Sequence, residues 1–285
     1  MTIATVDELE TALGSQFTRY YSAKNDPIAG QAVVGGFHSY FRSTGFPTPI
    51  GTIPGTVTAN PLSNASTGAI PFMQQTSPRT NYLAELDVSC TVAGTTIEIH
   101  DRLVELGGLN GTLTTTQNIT GFDLNTLSGT NNIGNRKGDA NYSDVQWWLE
   151  WYTGTGTTNV NWTVNVTYND GTTGDVVFVA PGASLRASRM LPINPLIPDT
   201  AAGKYIRGVN SVTLNGSSGV AGNFGVTATR YRASVYTPTL NKVYKKSWAE
   251  TGLPEIYNQS CLFPIGIAPA TTMGNIRING SIVYG

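Results

Sequence analysis

Acid–base and nucleophilic chemistry have few residues to draw on in this chain. Among 285 residues there are two histidines, His38 and His100, and two cysteines, Cys90 and Cys261. A hydrolytic triad needs a nucleophile, a base and an acid that orients the base. His38 stands in an aromatic segment, and His100 in Ile97-Glu-Ile-His-Asp-Arg-Leu103 at the end of a predicted strand. No serine sits in a Gly-x-Ser-x-Gly elbow. Glu98, His100 and Asp101 form the one cluster able to make an ion pair or hold a metal. Adjacent strand residues point to opposite faces, so His100 and Asp101 should not converge. His100 is therefore read as structural.

Two carboxylates set on either side of a sugar can hydrolyse a glycosidic bond. Asp144 and Glu150 are the candidates, because Glu150 lies in the aromatic run Val145-Gln-Trp-Trp-Leu-Glu-Trp-Tyr152. Strand alternation places Glu150 with Trp148 and Tyr152, opposite Trp147, Leu149 and Trp151. An exposed face of that kind can stack sugars, and a covering sheet or subunit is its simpler use. The cysteines read as two buried thiols. No Cys/His spacing suits zinc. Asn169-Asp170-Gly171 and Gly138-Asp139-Ala140-Asn141 read as turns and do not match a calcium loop. Gly35-Gly36 and Gly107-Gly108 lack the lysine and the strand–loop–helix context of a phosphate loop. The expectation is a non-enzyme, with no catalytic residue, cofactor or metal.

The elements that carry these residues are strands. Val160, Trp162, Val164, Val166 and Tyr168 alternate with polar residues, which gives one buried and one wet face. Asn169-Asp170-Gly171 then reverses the chain into a second β-branched run ending at Ala180. Further strands are expected at 82–91, 95–100, 112–120, 145–151, 211–214, 224–236, 276–278 and 282–284, with Gly280 at a turn or bulge. Residues 181–204 read as a loop, since Pro192, Pro195 and Pro198 exclude a central strand. A total of about eight to ten strands without long helices predicts an all-β antiparallel sandwich, most simply jelly-roll-like. Thr5/Glu8 and Ser247/Glu250 have capping-box spacing, which predicts a helix over 4–14 and one helical turn before Gly252.

Residues 1–80 read as an arm and residues 81–285 as the sandwich domain. After the short helix come Phe17, Tyr20, Tyr21, Phe37, Tyr40 and Phe41, then a Pro/Gly/Thr/Ser-rich stretch with little periodicity. Disordered chains are poor in aromatics, so the arm should pack on the domain or on a neighbouring subunit. Those six aromatics are the candidate interface residues.

Hydrophobic residues make up 40% of the chain and charged residues only 12%, with a net charge of −1. The near-neutral balance argues against nucleic-acid or anionic-membrane binding. No apolar run is long enough to span a bilayer. The start, Met1-Thr-Ile-Ala-Thr-Val-Asp7, lacks the pattern of a secretory signal, which implies cytoplasmic synthesis.

The string Ile97-Glu-Ile-His-Asp-Arg-Leu-Val-Glu-Leu-Gly-Gly-Leu109, a Thr-rich strand, Val145 to Gly156 and the Asn-Asp-Gly hairpin together resemble structural proteins of tailed bacteriophage particles. Within that group they are similar to capsid decoration or cement proteins of jelly-roll type. The resemblance covers roughly residues 82–180 and brings no catalytic residues. It implies a virion protein made in a host bacterial cytoplasm. It would be an oligomer, often a trimer, on the outside of an icosahedral shell, contacting the major capsid protein and copies of itself. A major capsid protein needs a long spine helix, and no stretch has that periodicity. The alternative reading is a carbohydrate- or receptor-binding module of a head fibre or tail.

Overall fold

The computed structural model describes residues 3–28, 31–180 and 185–285. Helix α1 (Val6–Ser15) opens it, capped as expected by the reciprocal Thr5/Glu8 box. The first strands are β1 (Phe17–Lys24), β2 (Phe37–Ser39), β3 (Gly45–Phe46), β4 (Asn60–Pro61), β5 (Asn81–Cys90), β6 (Thr95–Glu105) and β7 (Gln117–Asn118). Helix α2 (Ile133–Arg136) precedes β8 (Val145–Thr153), β9 (Val160–Tyr168), β10 (Thr173–Ala180), β11 (Arg189–Pro192), β12 (Ile206–Leu214) and β13 (Asn223–Thr237). The chain ends with β14 (Tyr244–Lys246), α3 (Trp248–Thr251), β15 (Glu255–Ile256), β16 (Leu262–Ile267) and β17 (Ile276–Tyr284).

The fold is an all-β antiparallel sandwich, built from sheets of six, four and seven strands. In the seven-stranded sheet β13 pairs with both β8 and β6. The order β13-β8-β11-β2-β16-β6 therefore returns to β13, and the middle layer closes into a six-stranded ring. Closure removes the exposed edges that an open sheet would present.

The two other sheets cover opposite parts of this ring. Sheet β10-β9-β12-β7 packs Trp162, Val164 and Val212 against Trp147, Leu149 and Trp151 of β8 and Phe224 of β13. Trp162 stands edge-on to Phe224 at 4.8 Å and to Trp151 at 5.5 Å. Sheet β14-β5-β17-β1-β3 packs Leu83, Leu86, Val88 and Ile278 against Ile97, Ile99, Ala233 and Val235. The alternating residues of β8 and β9 thus turn inward as their spacing predicts. The Asn169-Asp170-Gly171 hairpin is present, with Gly171 alone of the three at positive φ (86°).

Several expectations are corrected. The arm expected over 1–80 is woven into the sheets. Strand β1 lies between β17 and β3, β2 between β11 and β16, and β4 beside β6. The loop expected over 181–204 contains β11, which lies between β8 and β2 and keeps Pro192 at its end; residues 181–184 lie outside the described residues. Only Gln117–Asn118 of the expected strand 112–120 pairs in a sheet. Residues 276–284 are one strand, whose register against β5 shifts between Ser281 and Ile282 because Ala84 of β5 is skipped. Gly280 is required there, since a Cβ would stand 2.1 Å from the Glu85 carbonyl and 2.3 Å from the Tyr20 hydroxyl.

Candidate functional site

Ring closure turns the face of β8 that carries Trp148, Glu150 and Tyr152 toward the ring interior. Opposite it, the β6 register against β13 skips Leu103. Such a bulge puts two residues against one and re-aims the side chains beyond it. Arg102 and Glu105 consequently both point inside, while Leu103 and Val104 join the outer core.

The interior holds a buried charge network. Arg102 Nη2 donates to Glu105 Oε2 at 2.6 Å and also to Glu150, and its Nε donates to Glu105 Oε2 at 3.0 Å. Thr227 Oγ1 donates to Glu150 Oε2 at 2.5 Å. Arg42 adds a two-pronged contact to Glu105 at 2.8 and 3.1 Å. The Arg102 guanidinium lies between the Phe41 ring (4.8 Å) and the Phe263 ring (5.1 Å). Burial alone would raise the Glu105 carboxyl; the Arg102 and Arg42 charges override it and hold it below the usual carboxylate range.

A second network lies on the other face of β6. Asp101 accepts from Arg136 at 2.6 and 3.1 Å, from Ser260 Oγ at 2.8 Å and from the Cys261 N–H at 2.8 Å. Burial opposes the Asp101 charge, and Arg136 more than offsets it, so its carboxyl sits low. His100 instead turns inward to Glu98 Oε2 (2.9 Å) and Thr229 Oγ1 (3.1 Å). His100 and Asp101 therefore diverge, as adjacent strand positions require.

The glycan and hydrolase candidates do not assemble a site. Asp144 pairs with Arg230 at 2.8 Å, outside the ring. Glu150 lies six steps further along the chain, roughly 20 Å at about 3.3 Å each, well beyond the spacing of a glycosidase pair. The sugar platform of Trp148 and Tyr152 is corrected: both are buried. Trp148 Nε1 donates to Thr229 Oγ1 at 2.8 Å, and Tyr152 donates to the Leu106 carbonyl at 2.9 Å. A cavity of about 330 Å³ does reach the network, lined by Arg42, Glu150, Tyr152, Ser39, Ser43 and Ser188. Both of its charged residues are already paired, Arg42 with Glu105 and Glu150 with Arg102. It has room for a small polar molecule and offers no free acid–base couple.

His38 accepts the Val33 N–H on Nε2 at 3.2 Å, which leaves the proton on Nδ1 facing Ser188 Oγ at 3.2 Å. Burial, with Arg189 nearby, lowers its pKa to about 3. Lys24 is buried and donates to the Ser43 and Pro47 carbonyls at 3.2 and 2.5 Å; burial lowers its pKa to about 8. Both cysteines are buried free thiols. Among the described residues no three His, Cys, Asp or Glu side chains gather as a metal site, and no helix is long and apolar enough to cross a membrane.

The six interface candidates separate into three groups. Tyr20, Tyr40 and Phe41 are buried in the chain's own cores. Tyr20 donates to the Glu85 carbonyl at 2.8 Å and Tyr40 to the Gly274 carbonyl at 2.9 Å. Phe37 is half-buried against Trp148 at 5.1 Å. Phe17 and Tyr21 alone are exposed, on the outward face of β1 with Arg19 between them. Phe46, which sequence reasoning missed, stacks on Tyr21 at 5.8 Å and is exposed as well. It sits in a two-residue strand, so no periodicity could have flagged it.

No protein-family model and no curated protein sequence matches this chain. Among solved structures, the infectious bursal virus derived T=1 particle aligns over 94% of this chain and 77% of that chain, at 11% identity and a TM-score of 0.18. The VP2 subviral particle of infectious bursal disease virus aligns over 94% and 80%, at 10% identity and 0.18. The T13 particle of the same virus aligns over 94% and 77%, at 10% identity and 0.19. Superpositions at this level do not establish a shared fold.

Proposed function

We propose that this chain is a non-enzymatic structural protein of a virus particle, a decoration or cement protein on the outside of an icosahedral capsid. It acts as an oligomer that bridges neighbouring capsomers, with the major capsid protein and its own copies as partners. The observation that carries the reading is the outward apolar group Phe17, Tyr21 and Phe46 on one sheet margin. Aromatics in such positions are frequent anchors of protein interfaces. The low charge supports it, because hydroxyls and amides cost less to bury at a contact than charges do. The tailed-phage strings in β6, β8 and the hairpin supply the particle context.

Removing residues 1–41 is not a clean test, since it takes β1 and β2 out of two sheets. The combined substitution Phe17→Ser, Tyr21→Ser, Phe46→Ser changes only the outer group. The full chain should co-sediment with intact particles at a fixed stoichiometry, and the triple variant should fold yet stay in the supernatant. Equal occupancy by both proteins would refute this role for the aromatic group.

A further inference from the structure

The hairpin β9–β10 leaves one backbone edge unpaired among the described residues. Strand β10 ends its sheet and pairs only with β9. The Tyr168 N–H donates to the Thr172 carbonyl at 2.8 Å beside the turn, which makes 168/172 a hydrogen-bonded pair. The register beyond it runs unbroken to 160/180. Hydrogen-bonded and non-hydrogen-bonded pairs alternate along an antiparallel ladder. Gly174, Val176 and Phe178 therefore turn their backbone groups to β9, and Asp175, Val177 and Val179 turn theirs outward.

The side chains match this free edge. Val177 is 56% and Val179 62% exposed, while Val176 is in the core. Natural edges are usually blunted by lysine, proline or a bulge. Val176-Val-Phe-Val179 has none of these, and the only charge on the strand is Asp175.

We propose that β10 pairs with β10 of a second copy of this chain, antiparallel about a twofold axis passing between the two Phe178 residues. In this register Val177 lies opposite the partner's Val179, and Val179 opposite the partner's Val177. All four have outward backbone groups, so each of these pairs exchanges two hydrogen bonds. The four valines close into one apolar patch, and the two Phe178 residues form the central non-hydrogen-bonded pair. Centring the axis on Val176 or Val177 instead sets Asp175 against a valine. Of these three registers only the one centred on Phe178 sets valine against valine without meeting Asp175, and this self-complementarity points to a second copy as the occupant. The inference rests on this edge alone and does not require the particle reading.

Sedimentation velocity of the full chain over a range of concentrations tests it. The wild type should show a monomer–dimer equilibrium. Val177→Lys with Val179→Lys should weaken the dimer by at least about tenfold, equivalent to ~1.4 kcal/mol, with the melting temperature retained. A second measurement fixes the register. Val177→Cys together with Val179→Cys should oxidise to a covalent dimer, because hydrogen-bonded pairs hold Cα atoms about 5.5 Å apart, within disulfide reach. Val177→Cys alone should not, since the two copies of position 177 are offset by two residues. A wild type that stays monomeric, a dimer indifferent to the lysines, or equal cross-linking by the single cysteine would each overturn the proposal.

Discussion

Acidification should weaken this protein through His38 before it reaches the carboxylates. The ring is buried and accepts a backbone N–H on Nε2, so protonation would set two donors against each other. Its pKa in the fold is about 3, against about 6.5 for a histidine in an unfolded chain. The sign follows from proton counts. Between these values the unfolded chain holds a proton on His38 and the folded chain does not, so stability falls as pH falls. The contribution is fully present above the unfolded value and is lost through the interval down to the folded one. Relative to pH 8 the loss is about 0.4 kcal/mol at pH 6.5 and about 2 kcal/mol at pH 5. Urea unfolding of the wild type and of His38→Gln at these three pH values isolates the effect. Glutamine keeps an acceptor and a donor but cannot titrate, and every other group cancels in the difference. The wild type should lose about 2 kcal/mol more than the variant between pH 8 and pH 5. Parallel pH profiles would refute the assignment of His38 as a buried neutral acceptor.

Arg102→Ala strips the guanidinium from Glu105 and Glu150 and should cost about 3–5 kcal/mol; a loss under about 1 kcal/mol in urea titration would mean the network is solvated. Gly280→Ala forces a Cβ onto the Glu85 carbonyl and the Tyr20 hydroxyl, and should cost about 1–3 kcal/mol by thermal unfolding. Lys24→Met removes a buried cation that lacks a carboxylate among its hydrogen-bond partners. The wild type should gain stability relative to that variant as pH rises from 8 to about 10.5, because only the unfolded chain then keeps the lysine proton. Denaturant midpoints for the two proteins across that interval check the sign.

The legible parts of the sequence were those where polarity and geometry agree. In β9 the apolar residues fall on one face and that face is buried, and Val145, Trp147, Leu149 and Trp151 of β8 do the same, so this part of the core could be read residue by residue; Trp148 and Tyr152, on the opposite face of β8, are buried as well. The two capping boxes were local and equally plain. Strand β1 was not, although Phe17-Thr-Arg-Tyr-Tyr-Ser-Ala-Lys24 alternates cleanly in burial. Its buried positions include Ser22 and Lys24, while Phe17 and Tyr21 face outward. The hydrophobic pattern is therefore inverted, and the segment reads as an arm. Tyr40 and Phe41 mislead for another reason. They are neighbours buried in different cores, Tyr40 beside Ile97 and Phe41 beside Phe263. Strand β16, for which no strand was expected, holds Pro264 between β2 and β6, where its carbonyl accepts the Tyr40 N–H at 3.0 Å.

The charge network shows why the interior of the ring could not be read locally. Arg102 and Glu105 are three apart, a spacing that regular alternation would send to opposite faces. The skipped Leu103 brings them to the same side, and the skip exists only through the pairing of β6 with β13, more than 120 residues further along the chain. The same skip sends Leu103 and Val104 together into the outer core against the β9 sheet. One inserted residue thus serves two layers at once. It fills the outer packing with two aliphatic side chains, and it delivers to the interior Arg102 and Glu105, which with Arg42 and Glu150 set two cations against two anions. Deleting Leu103 would take out the extra residue and leave regular alternation from Arg102 through Val104 to Glu105, so Val104 should stay in the apolar layer and Glu105 in the charged one while the outer core loses one aliphatic side chain.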